Sequence, residues 1–208
     1  MRKLVSLLAL PIFFVSCSNL KHTAEHAQNP TLKLISSYEI PYHQDFKNTK
    51  IGGLSGIDYD VKNDLYYLLS DDRAQTNDSR FYTAKIHLNN DQISEVEFLS
   101  VNILKNETGN NYGNWISSPT TSADPEDIRY NPKSNSLVWS SEGARIATQE
   151  KLVLQNPSIK FMDLNGKHLS KINLPANLEM QKLEKGPRNN GTLEGITFDF
   201  KYKNIYTN

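Results

Sequence analysis

Hydrophobic and polar positions alternate along this chain in a strand rhythm. Leu54, Ile57 and Tyr59 are apolar; a polar turn follows; then Leu65, Tyr66, Tyr67, Leu68 and Leu69 run together up to Ser70-Asp71-Asp72. Five large residues in succession, bounded by turn chemistry, predict a strand buried on both faces. Arg80–Leu88 alternates and predicts a third strand. Asn89-Asn90-Asp91 predicts a turn, and Glu95–Leu104 a fourth strand. The expectation is a four-stranded antiparallel meander.

The pattern recurs without a gap. Aligning Gly56 with Asp127 puts Ile57 on Ile128, Tyr59 on Tyr130, Lys62 on Lys133, Ser70 on Ser141 and Asp71 on Glu142. A third copy opens at Gly191, with Gly195 in the Gly56 place and Phe198 in the aromatic place. The copies lie 71 and then 68 residues apart. A recurring strand-turn-strand unit at near-constant spacing is a repeat signal. The second unit is predicted to hold strands near Glu126–Tyr130, Leu137–Ser141, Ile159–Leu164 and His168–Leu174, the last two joined at Asn165-Gly166. Leu32–Ile40 alternates in part and predicts one more strand, followed by a loop over Pro41–Lys50. Radially repeated four-stranded sheets make a β-propeller. The expected fold is all-β: a partial propeller of about two and a half blades, from a chain longer than these 208 residues. Such an open arc is expected to aggregate in isolation, its terminal strands exposing unpaired edges, and to bind calcium weakly.

Composition narrows the partners. Lys plus Arg and Asp plus Glu both total 23, so no global field draws in nucleic acid. The N-terminus reads as a targeting segment: Arg2 and Lys3, then an apolar stretch from Leu4 to Val15. That stretch is short of the ~20 residues a membrane-spanning helix needs. Cys17, the one cysteine, follows directly and resembles the lipidated residue of bacterial lipoproteins, with Phe14 departing from the usual Leu. The expected organisation is a signal peptide over 1–16, lipidated Cys17 with a polar tether over 17–31, and the propeller domain over 32–208. The expected location is the cell envelope of a Gram-negative bacterium, exported and held at the membrane through the Cys17 lipid. The full-length protein is expected to be a monomer.

The repeat places Ser55, Glu126 and Glu194 at one equivalent position, and Asp71 and Glu142 at another; Asp72, Asp124 and Asp127 lie close by in sequence. Carboxylates gathered by symmetry repel unless a cation or an arginine sits among them, and a hard cation such as Ca²⁺ takes several oxygen ligands. Gly53-Leu54-Ser55-Gly56 is no nucleophile elbow, because a strand follows where a helix is needed. Gly186–Gly191 is no P-loop. The five histidines show no metal-ligand spacing.

GGLSGIDYD with YYLLSDDR, then DPEDIRYNP with WSSEG, then GPRNN with LEGITF, resemble the "esterase-like activity of phytase" family. The resemblance runs from about Leu32 to Asn208 and implies a six-bladed propeller related to calcium-dependent phytases. It implies catalytic roles for Arg73, Glu126, Arg188 and Glu194, metal ligation by Asp71, Asp72, Asp127 and Glu142, and substrate contact by Asn189. Two functions stay open. One is a calcium-dependent phosphoric ester hydrolase acting on a small-molecule ester. The other is a non-catalytic, lipid-anchored binding module for a sugar, peptide or envelope partner. The loops offer few basic residues, which argues against phytate itself as the substrate.

Overall fold

Both expected meanders form where the apolar rhythm places them. The computed structural model describes residues 31–208. The signal segment and Cys17 lie outside the described residues. A short hairpin comes first, β1 (Asp45–Phe46) with β2 (Thr49–Lys50). The first sheet follows in the order β3 (Leu54–Asp60), β4 (Leu65–Ser70), β5 (Arg80–Asn89) and β6 (Gln92–Ile103), all antiparallel. The second unit contributes β7 (Pro125–Asn131) and β8 (Ser136–Ser141). A hairpin of β9 (Ala144–Ala147) and β10 (Leu152–Gln155) interrupts it, before β11 (Ser158–Met162) and β12 (His168–Lys171) complete a sheet ordered β7-β8-β11-β12. The third copy is the pair β13 (Ile196–Phe198) and β14 (Ile205–Thr207). The protein is thus all-β, built from separate antiparallel sheets, none of which closes on itself among the described residues.

The repeat extends to turn chemistry. Asp60 accepts the Lys62 amide at 3.0 Å, and Asn131 accepts the Lys133 amide at 3.0 Å. Asp64 and Asn135 hold the left-handed position of each turn, with φ of 51° and 48°. Asp and Asn tolerate that conformation and hydrogen-bond locally. The Tyr59 hydroxyl donates to Asp64 at 2.8 Å, and that of Tyr130 to Asn135 at 2.9 Å. An aromatic hydroxyl pinning the turn five residues on explains why tyrosine recurs there.

The run expected to be buried on both faces is so over Tyr67–Leu69, with Leu65 and Tyr66 half-buried, and Leu137–Trp139 is buried on both faces as well. Tyr67 and Leu69 face the second sheet and pack with Phe81, Ile128, Leu137 and Trp139. Leu68 faces the other way, onto Tyr82 and Ile51. Val138 and Ile159, on the far face of the second sheet, pack with Leu193 and Ile196 of the third unit. Each such side chain contributes ~1.5–3 kcal/mol on burial. The units therefore stack face to face with their first strands side by side. At Gly56 a Cβ would meet the Ile128 nitrogen at 2.8 Å and the Asp127 Cα at 2.9 Å, so only glycine permits this approach of β3 to β7. Asp58 accepts the Tyr130 amide at 2.6 Å, and Asp127 accepts the Ile196 amide at 2.8 Å. Each carboxylate ties one first strand to the next.

Two expectations need correction. Leu32–Ile40 forms no strand; Leu32, Leu34 and Ile35 are exposed. Its alternation is incomplete, and only Ile40 joins a core, with Ile51 and with Phe46 of Pro41–Lys50, a segment expected to be loop that carries the β1–β2 hairpin. The β9–β10 hairpin was not expected, because of its apolar residues only Ala144 and Val153 are buried while Leu152 and Leu154 are exposed.

Candidate functional site: an acid-lined cleft

Both first strands carry a register irregularity at the same repeat position, between Leu54 and Gly56 in β3 and between Pro125 and Ile128 in β7. Such bulges re-aim side chains at sheet rims. The neighbouring strands end alike: the Asp71 amide donates to the Gly53 carbonyl at 2.7 Å, and the Glu142 amide to the Asp124 carbonyl at 3.2 Å. Bulge and strand end together open a cleft of about 580 Å³. Six carboxylates line it, those of Asp71, Asp72, Asp124, Glu126, Glu142 and Glu194, against the basic side chains of Lys50, Arg73 and Arg80.

At its centre Asp124, Glu126 and Glu142 each bring a carboxylate oxygen within 4.8 Å of the others. Asp124 and Glu142 are buried and Glu126 is half-buried. Glu142 is held by the Gly191 and Thr192 amides, so its carboxylate is fixed by the loop that leads into the third unit. Arg73 pairs with Asp124 at 3.1 Å and lies 3.5 Å above the Trp115 ring. Its Nε and Nη2 are buried without a partner among the described residues.

Burial dominates the electrostatics. It pushes Glu126 up to about 8, helped by the neighbouring Asp124, Glu142, Glu194 and Asp71. It pushes Asp124 up to about 7, against the pull of Arg73 and with the help of Glu142. Burial likewise lowers Arg73, while Asp124, Glu142 and Glu126 work to raise it. A cluster that holds protons near neutrality is short of positive charge.

The expected residues divide. Asp71, Arg73, Glu126, Glu142 and Glu194 line the cleft. Asp72 lines it as well, but burial, which raises its pKa, is outweighed by the Arg80 ion pair at 2.8 Å and the amides of Asn77, Thr76 and Gln75. Its carboxylate is committed to the corner after β4. Asp127 sits behind the cleft, held by Arg129 and by the Ile128 and Ile196 amides. Arg188 and Asn189 are exposed and do not line the cleft; Asn189 accepts the Arg145 amide at 2.7 Å. Asp124 is the third member of the central trio. Its signal lay in the alignment, where it falls opposite Gly53, at a position without a carboxylate in the first copy. Trp115 and Arg80 also went unassigned, since no repeat marks them.

The sheets and cleft define an all-β protein with a concentrated acidic site. The family model "Phytase-like: Esterase-like activity of phytase" matches residues 49–208, and the chain belongs to that family. Comparison with curated proteins finds no match, and comparison with solved structures finds none.

Proposed function

We propose that the chain is a propeller-type ester hydrolase whose acidic cleft takes calcium and a phosphoric ester. The observation that carries this reading is the trio Asp124, Glu126 and Glu142 beside Arg73. Face-to-face stacking of the units with first strands adjacent supports the propeller, since that is how blades surround a channel.

The donor set suits a hard cation: three carboxylates on rigid strand ends, with a shortage of positive charge around them. Asp124, Glu126 and Glu142 would hold the ion, which would supply charge neutralisation and Lewis acidity toward an ester oxygen. The chain's own groups do the rest. Glu142 is oriented by two backbone amides. Glu126, which burial keeps protonated near neutrality, would give up that proton on serving as a ligand. Arg73, stacked on Trp115, is placed to stabilise charge developing on the ester oxygens.

The balance of charge limits the substrate. All three guanidinium nitrogens of Arg80 are committed, to Tyr82, Asp72 and the Lys50 carbonyl. Six carboxylates then face few free cations, which disfavours a polyphosphate and favours a mono-ester. The same excess of acid supports the second reading, a module that holds a polyhydroxyl ligand through a cation. Hydrolysis of p-nitrophenyl phosphate and p-nitrophenyl acetate, with calcium and with chelator, separates the two. Calcium-dependent turnover lost in Glu126→Gln supports the enzyme. Calcium binding with no turnover of either ester supports the module. We further propose export by the 1–16 segment and anchoring through Cys17 at the envelope.

A further inference from the structure

A second concave region shares no lining residue with the acidic cleft. Two adjoining clefts, of about 360 and 340 Å³, meet at Lys160 of β11, with Glu107, Asn156 and Ser158 common to both. The Lys160 ammonium lies over two aromatic rings: its Nζ is 4.7 Å from the Tyr112 centroid and 5.2 Å from that of Trp139. Those cation–π contacts stabilise the ammonium in part, but neither ring carries the full negative charge of an ion-pair partner. The ammonium donates to one neutral acceptor, the Tyr112 hydroxyl at 2.9 Å. Among the described residues it forms no ion pair. The nearest carboxylate, Glu107, is taken by Lys171 at 3.1 Å.

Lys160 is half-buried, and a cation drawn away from water is normally paired, because desolvation is costly unless an opposite charge or several hydrogen bonds offset it. Here burial lowers Lys160 to about 8, with Lys171 adding to the effect and Glu107 opposing it. The lining holds donors alongside the carboxylates of Glu107 and Glu179. The Ser158 hydroxyl and the Asn156 Nδ2 are uncommitted among the described residues, and both residues line the two clefts. What is missing beside Lys160 is an acceptor with negative charge.

We infer that Lys160 is the anchor of an oxyanion-binding site, taking the phosphate or carboxylate group of a small organic ligand whose body lies in the groove beside Ser158 and Asn156. The site is independent of the acidic cleft, and the ligand binds through its head group without reaction. An exposed anion would be met by water in preference to a lone lysine. The aromatic walls and the Tyr112 hydrogen bond remove that competition and hold the ammonium in one place.

The test is competitive acetylation of the full chain with acetic anhydride, read by mass spectrometry at each lysine. Inorganic phosphate, acetate and chloride are compared at equal ionic strength. Phosphate or acetate is expected to cut labelling of Lys160 several-fold relative to chloride while Lys62 is unchanged, and the stronger arm identifies the head group. Calorimetry of the protecting anion should show binding in the wild type and in Lys62→Met, and none in a folded Lys160→Met. Equal Lys160 labelling in all three salts overturns the inference, as does unchanged anion binding in Lys160→Met.

Discussion

Replacing Glu126 with Gln tests the electrostatics of the cleft directly. In the folded protein Glu126 titrates at about 8 against an ordinary 4.5, and Asp124 at about 7 against 3.8. Both are raised, so the folded state binds more protons than the unfolded chain between roughly pH 4 and pH 8. Stability therefore falls as pH climbs through that window. One pKa unit corresponds to ~1.4 kcal/mol, but Glu126 is half-buried and solvent screens it, so its share is ~1–2 kcal/mol. The amide of Gln mimics the protonated acid and does not titrate. Urea unfolding with chelator present, at about pH 5 and about pH 9, should give the variant and the wild type similar stability at the lower pH. At the higher pH Glu126→Gln should be the more stable by that ~1–2 kcal/mol. Parallel curves for the two proteins would refute the argument, because they would mean that Glu126 is ionised in the fold and unfolded chain alike.

Three other predictions test different parts of the account. Gly56→Ala forces a Cβ against the backbone of β7, 2.8 Å from the Ile128 nitrogen, and should cost ~1–3 kcal/mol in the same unfolding assay. Arg80→Met leaves the half-buried Asp72 with only the Gln75, Thr76 and Asn77 amides; a loss of ~1–3 kcal/mol is expected, with calcium binding retained in whatever fraction stays folded. Cys17→Ser should move the protein from the membrane to the soluble fraction of the expressing cell, and a variant that stays membrane-bound would disprove the lipid anchor.

The strands were legible because their burial is written in the sequence. Tyr67, Leu68 and Leu69 lie in an unbroken apolar run, and the structure buries both faces of it. The turn after β3 was legible because Asp60 and Asn131 perform one task at one repeat position. The site was legible only in part. Repeats register the positions that recur, so Asp71 with Glu142 and Glu126 with Glu194 were found together. Residues serving one copy alone leave no such trace. Asp124 replaces a glycine, and Trp115 comes from a loop outside the repeat. Asp72 and Asp127 show the opposite failure: acids adjacent in sequence to the site spend their charge on Arg80 and Arg129. Proximity along the chain does not reveal which way a carboxylate points across a bulge. Leu32–Ile40 failed for want of a complete alternation, which a strand needs more than it needs apolar residues.

The central claim is that Asp124, Glu126 and Glu142 hold a cation. Calcium titration by calorimetry, repeated in buffers of different ionisation enthalpy, tests it most directly. The account predicts saturable binding accompanied by proton release near neutral pH, since calcium must displace the protons that burial keeps on Asp124 and Glu126. Both the binding and the proton release should disappear in Glu142→Gln. Absence of calcium binding by the wild type, or binding undiminished in Glu142→Gln, would contradict the account.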